Sequence, residues 1–264
     1  MDNAWRGRWA LVTGASAGIG VALARELASA GTNLVLTARR LDRLEELARA
    51  LREKNAIQVE VFSADLALPD APPKIFEFTV QRGFTIDLLI NNAGFGQYGE
   101  LPRVDTQRLL DMVQVNCGAV VHLTRLFLPG MMQRRRGDVL ILASTAAFQA
   151  VPYISTYAAT KAFDLLFAEG LAEEMKPYGI RVCALCPGST ESEFHVLAGQ
   201  ERFTTKHQET AEKVARTGLK ALVEGKSYVI SGFGNYMGAQ SQRIVPRRMV
   251  TRIAANLFRP NKKQ

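Results

Sequence analysis

Thr13-Gly14-Ala15-Ser16-Ala17-Gly18-Ile19-Gly20, directly after the apolar run Trp9-Ala10-Leu11-Val12, is the stretch whose reading decides the fold. Its glycines are spaced G-x-x-x-G-x-G, and the residues that follow, 18–30, place their apolar side chains at helical period. Strand, glycine-rich turn and helix in that order leave free backbone amides at a helix N-terminus. There they can meet a pyrophosphate that glycine allows the backbone to approach. A glycine-rich turn alone is weak evidence, but in this setting it predicts dinucleotide binding through Gly14, Ser16, Gly18, Ile19 and Gly20.

Outward from that turn the alternation continues. Apolar runs at 9–13, 34–37, 59–63, 86–91, 139–144, 180–186 and 228–231 read as strands, with helix-period segments between them, including 41–53, 106–132 and 153–175. Short buried strands joined by helical crossovers predict a single α/β domain of the Rossmann-like, doubly wound kind. Its seven-stranded parallel sheet would be covered by helices on both faces. The expected division is a catalytic domain over 1–240, with a lid at about 191–208, and a basic amphipathic extension over 241–264.

Composition narrows the partners. The chain has 264 residues, 47% of them hydrophobic, and a formal charge of +8. All of that charge comes from residues 225–264, which hold Lys226, Arg243, Arg247, Arg248, Arg252, Arg259, Lys262 and Lys263 and no acid. The first 224 residues are neutral, which argues against a nucleic-acid-binding fold. No apolar run is long enough to span a bilayer, and the charged N-terminus does not read as a signal peptide, so a cytoplasmic location is expected. Cys183 and Cys186 form a C-x-x-C inside an apolar run and read as core thiols rather than a redox pair; no clustered ligands point to a metal.

Two further features carry chemistry. The second strand ends in Thr37-Ala38-Arg39-Arg40, where an acid would hydrogen-bond the ribose 2′-hydroxyl of NAD. Guanidinium groups there favour NADP(H) over NAD(H), with Arg39 the first choice of contact and Arg40 the second; the alternative is two solvated residues opening a charged helix. Tyr157 and Lys161 are spaced i, i+4 and so share a helix face, downstream of Ser144 at the end of the fifth predicted strand. A neighbouring ammonium favours the phenolate, which would make Tyr157 a usable proton shuttle near neutral pH.

With Asn91-Asn92-Ala93-Gly94, Asn116 and Pro187-Gly188 in the same order, the sequence resembles the short-chain dehydrogenase/reductase family over essentially its whole length. The resemblance implies that Tyr157 is the general acid in carbonyl reduction and the base in alcohol oxidation. Lys161 would lower its pKa and hold the nicotinamide ribose, Ser144 would orient the carbonyl, and Asn116 would position a relay water. It places Asp65 and Leu66 beside the adenine and Asn92 beside the cofactor, and extends the cofactor set to Pro187, Gly188, Thr190 and Ser192, the last where the family usually has threonine. Asp65 has a second reading as a helix cap.

The implied substrate is a small-molecule carbonyl or alcohol. Aromatic residues at the expected loops, Phe95, Phe148, Tyr153 and Phe194, suggest an apolar or acyl-type one. The alternative is a catalytically idle NADPH-binding sensor of the same fold. The resemblance also implies a homodimer or homotetramer. From Pro246 onward Met249, Val250, Ile253 and Leu257 fall on one side of a helix and Arg248, Arg252 and Arg259 on the other. That stripe is expected to pack on the domain or a sister subunit, with weak contact to an anionic membrane as the alternative.

Overall fold

Apolar runs of five or six residues with no polar alternation need burial on both faces, and the sheet supplies it. The structure is a computed structural model that describes residues 4–191, 193, 198 and 208–260. Its strands are β1 Trp9–Thr13, β2 Asn33–Ala38, β3 Val59–Ser63, β4 Ile86–Asn91, β5 Gly137–Leu142, β6 Ile180–Cys186 and β7 Tyr228–Ile230. They form one parallel sheet in the order β3-β2-β1-β4-β5-β6-β7. The order reverses between β1 and β4, which opens a crevice at the carboxyl ends of those strands.

Strand periodicity divides the core in two. Val12, Leu36, Ile90 and Leu140 face one side with α1 (Gly18–Ser29), α2 (Leu41–Lys54) and α7 (Ala211–Val223). Leu11, Val35, Leu89 and Ile141 face the other with α3 (Ala71–Gln81), α5 (Ala119–Arg134) and α6 (Ser155–Met175). Each fully buried Leu or Ile contributes on the order of 1.5–3 kcal/mol. Cys183 belongs to the first layer and Cys186 to the second, so the two thiols point to opposite faces of β6 and cannot pair.

Three boundaries differ from the sequence reading. β5 ends at Leu142, so Ser144 does not close the strand but caps a short 3-10 turn, Thr145–Phe148, its Oγ accepting from Ala146 N at 3.1 Å. The catalytic helix starts at Ser155 because Tyr153 takes a left-handed backbone, φ +68°, that no helix can include. The expected long helix over 106–132 is α4 (Thr106–Val113) and α5 joined by a π turn, Gln114–Gly118.

The C-terminal region departs further. α8 (Phe233–Ser241) has no counterpart in the sequence reading, and α9 (Arg247–Phe258) docks by a different face from the expected one. Ala254 is buried, and Phe258 packs with Val151, Ile154 and Ala158, whereas Met249, Ile253 and Leu257 are exposed.

Candidate active site

The glycine-rich turn is held from below by Thr13, a residue that carries no signal in the sequence. Its hydroxyl donates to Ile90 O at 3.1 Å and accepts from Asn92 N and Ala93 N, both at 2.9 Å. Asn92 returns the contact: its side-chain amide donates to Thr13 O at 2.8 Å and Gly14 O at 3.2 Å. Asn92 therefore ties the end of β4 to the turn. At Gly14, φ +66°, a Cβ would lie 2.8 Å from both Ala93 Cα and Asn92 Nδ2, and at Gly20 a Cβ would strike the Gly14 carbonyl. Only glycine leaves this cradle open.

Among the described residues no side chain caps α1, and its first turn carries no acid. Its leading amides are thus free for an anionic ligand, and the donor set fits the pyrophosphate of a dinucleotide. At the end of β2, Arg39 is exposed, while the Arg40 guanidinium reaches Ser16 Oγ at 3.2 Å and Glu193 at 2.8 Å. Arg43 also binds Glu193, at 2.6 Å, and hydrogen bonds from Arg43 and Arg40 hold that carboxyl below the usual carboxylate range. Two arginines thus converge on Glu193, one of them also on Ser16 of the turn. Asp65 Oδ1 accepts from Ala67 N at 3.0 Å, a turn contact that caps no helix, since the next one, α3, has Asp70 as its N-cap; Leu66 is buried in the core.

The catalytic candidates converge where β5, the π turn and α6 meet. Lys161 Nζ, almost fully buried, donates to Leu142 O at 2.6 Å and to Asp164 Oδ2 at 2.9 Å, and stands 5.9 Å from the centre of the Tyr157 ring. Ser144 lies close enough to the Tyr157 phenol to favour its ionised form. The π turn carries Asn116 inward, where Oδ1 accepts from Phe95 N at 3.1 Å and Nδ2 donates to Phe95 O and Thr160 Oγ1, both at 3.0 Å. Single π turns of this sort are frequent at functional sites.

Asp164 alters the electrostatics expected of this helix from Tyr157 and Lys161 alone. Burial pushes its carboxyl up to about 6 against the opposing pull of Lys161, and its Oδ1 has no hydrogen-bond partner among the described residues. Burial also raises the Tyr157 phenol; Lys161 and Ser144 oppose that rise, and Asp164 adds to it. Lys161 is pulled down by burial but ends above its ordinary value, mainly because of Asp164. Lys161 pulls the Tyr157 phenol down, in the expected direction, while burial is the larger and opposing influence. The i, i+3 spacing from Lys161 is the signal for Asp164 that the sequence offers.

Pro187 O accepts from Thr145 N at 2.9 Å, joining the loop after β6 to the Ser144 turn, and Thr190 Oγ1 donates to Gly188 O at 3.1 Å. Ser192 and Phe194, with most of the expected 191–208 lid, lie outside the described residues. Of the expected pocket aromatics, Phe95 stacks under Arg108 at 4.0 Å and Phe148 lies 6.2 Å from Tyr228. Tyr153 lines a cleft of about 390 Å³ with Leu101, Leu109 and Ile154. An apolar cluster of Val151, Ile154 and Ala158, joined by Tyr98 and Phe258, borders Tyr157.

Comparison with known proteins agrees with this geometry. The model of the short chain dehydrogenase family matches residues 8–202. The chain is 37% identical over 179 residues to a very-long-chain 3-oxoacyl-CoA reductase of Aspergillus clavatus, covering 67% of this chain and 52% of that protein, so it spans about half the length of that relative. A protein of the same name from Rattus norvegicus is 32% identical over 221 residues, 82% of this chain and 69% of the relative. Among solved structures, a short-chain dehydrogenase from Sphingobium yanoikuyae in complex with NADPH superposes with a TM-score of 0.81 at 28% identity, covering 97% of this chain and 98% of the other.

Proposed function

The chain belongs to the short-chain dehydrogenase family, and on that premise we propose that it is an NADPH-dependent reductase that converts the ketone of an apolar, acyl-type substrate to an alcohol. One observation carries the reading. The Lys161 ammonium is fixed by Leu142 O and Asp164 with the Tyr157 ring centre 5.9 Å away, on the helix that follows the Ser144 turn. A catalytically idle relative would have no need of that arrangement.

The residues divide the work. Bound in the turn, NADPH would supply hydride; the chain supplies everything else. Ser144 and Tyr157 present two hydroxyls to one carbonyl oxygen, which orients the ketone and favours the alkoxide character that develops on it. Tyr157 delivers the proton from its phenol, which is in the acid form near neutral pH. Lys161 holds positive charge close to the phenol and has a third N–H to offer a ribose hydroxyl, since two are spent on Leu142 and Asp164.

Support for NADPH comes from Arg39 and Arg40 and the lack of an acid at the end of β2. Support for an acyl substrate comes from the apolar cluster beside Tyr157 and from the names of the relatives. We also infer a homodimer through the outer faces of α5 and α6, where Val121, Phe163 and Leu166 are exposed. The test is a panel of carbonyls scored by NADPH oxidation: 3-oxoacyl thioesters and bulky aryl ketones should be reduced faster than small polar carbonyls. The reverse order removes the acyl-type assignment.

A further inference from the structure

α9 displays three faces rather than the two an ordinary surface helix shows. One is docked: Ala254 is buried, Phe258 packs on Val151, Ile154 and Ala158, and the Tyr98 hydroxyl donates to Phe258 O at 2.7 Å. These contacts fix the rotation of the helix on the domain. The second is an apolar stripe turned to solvent, with Met249 55%, Ile253 51% and Leu257 67% exposed, and Ile244 just before the helix is 86% exposed. The third, at about 100° per residue, lies on the far side of that stripe and holds Arg248 and Arg252, both exposed. Arg243 and Arg247 are exposed as well, and no acid follows Glu224 anywhere in the sequence.

We propose that this face is a membrane-docking surface, on which α9 lies flat against an anionic bilayer. Met249, Ile253 and Leu257 enter the boundary of the acyl region, and Arg248 and Arg252 meet the lipid phosphates. Charge complementarity selects this occupant. A second copy pairing isologously would set arginines near arginines with no carboxylate of residues 225–264 to meet them. A nucleic-acid backbone would satisfy the cations but leave three large apolar side chains in water. The helix lies on the membrane and does not cross it, since no helix among the described residues is long and apolar enough to span one.

Docking bears on the site as well. Phe258 shares its cluster with Tyr157, so the bilayer would lie against the same corner of the molecule as the catalytic cleft. A long acyl chain could then be drawn from the lipid phase without crossing water; this clause rests on the reductase reading, whereas docking itself does not.

The experiment is co-sedimentation of the full chain, without substrate, with vesicles of phosphatidylcholine alone or mixed with phosphatidylglycerol. Binding is expected only to the mixed vesicles and should weaken as salt rises. An Arg248→Glu/Arg252→Glu variant should lose about thirtyfold or more in partitioning, from the electrostatic worth of each cation near an anionic surface. Ile253→Ser/Leu257→Ser should also release the protein, and an unchanged thermal midpoint would show that both variants are folded. Three results overturn the proposal: no binding to anionic vesicles at low salt, equal binding of wild type and both variants, or self-association that the variants abolish while vesicles capture nothing.

Discussion

The carboxyl edge of the sheet and the C-terminal helix pair are built on opposite principles. At the edge, the polar side chains that shape the turn and the Lys161 site are committed within the molecule. Thr13 satisfies two amides, Asn92 closes the glycine turn, and Lys161 is pinned between Leu142 and Asp164. In α9 the reverse holds: a few docked side chains orient the helix and most of its surface, apolar and cationic, faces out. A region that performs chemistry must fix atoms to fractions of an ångström, and its polar groups pair internally to do so. One that meets a partner leaves its groups unspent until the partner arrives.

Substitutions can break or sharpen that contrast. The largest effect belongs to Tyr157→Phe, which removes the proton donor. Turnover should fall about a thousandfold or more, while NADPH binding, followed by nucleotide fluorescence, stays. Residual turnover near wild type would remove Tyr157 from the mechanism. Thr13→Val comes next, because it strands the part-buried amide of Ala93 and leaves Asn92 N with its bond to Ile90 O alone. Urea unfolding should show a loss of about 1–3 kcal/mol, with weaker nucleotide binding alongside. Arg39→Ala with Arg40→Ala should raise KM for NADPH on the order of tenfold and leave NADH unaffected; an equal effect on both nucleotides would assign the two arginines to structure alone.

Asp164→Asn should move a pH profile more than a rate. The carboxylate opposes ionisation of Tyr157, so its removal lets the phenol lose its proton at lower pH. The high-pH fall in carbonyl reduction and the rise in alcohol oxidation should both shift to lower pH, and a shift in the other direction would contradict the role given to Asp164. The smallest effect is expected on α9: Ile253→Ser should change thermal stability within about 0.5 kcal/mol, because that side chain contributes to no packed core. A large loss would show that the stripe is covered within the protein.

The same contrast separates what is legible in the sequence from what is not. Gly14, Gly20, Ser144, Tyr157 and Lys161 are legible because their chemistry demands particular residue types at fixed spacing. The doubly wound sheet is legible because fully buried strands alternate with longer helix-period segments. Thr13 is not, since a threonine ending a strand carries no signal until β4 is placed beside β1. The π turn at Asn116 escapes for a similar reason: helical period runs through it, and only tertiary bonds to Phe95 and Thr160 reveal the turn. For α9 the pattern predicts amphipathicity correctly, but the apolar stripe is not the side that packs on the domain. Periodicity identifies which residues share a face, and packing by Ala254 and Phe258 decides which face turns inward.

The most direct measurement follows a labelled hydride. With a 3-oxoacyl thioester and NADPH deuterated at the transferring position of the nicotinamide, the account predicts a 3-hydroxyacyl product that carries deuterium at C3, formed by the wild type and not by Tyr157→Phe. Saturable NADPH binding with no alcohol formed from any carbonyl in the panel would contradict it, and would make the protein a nucleotide-binding member of the fold without the reaction.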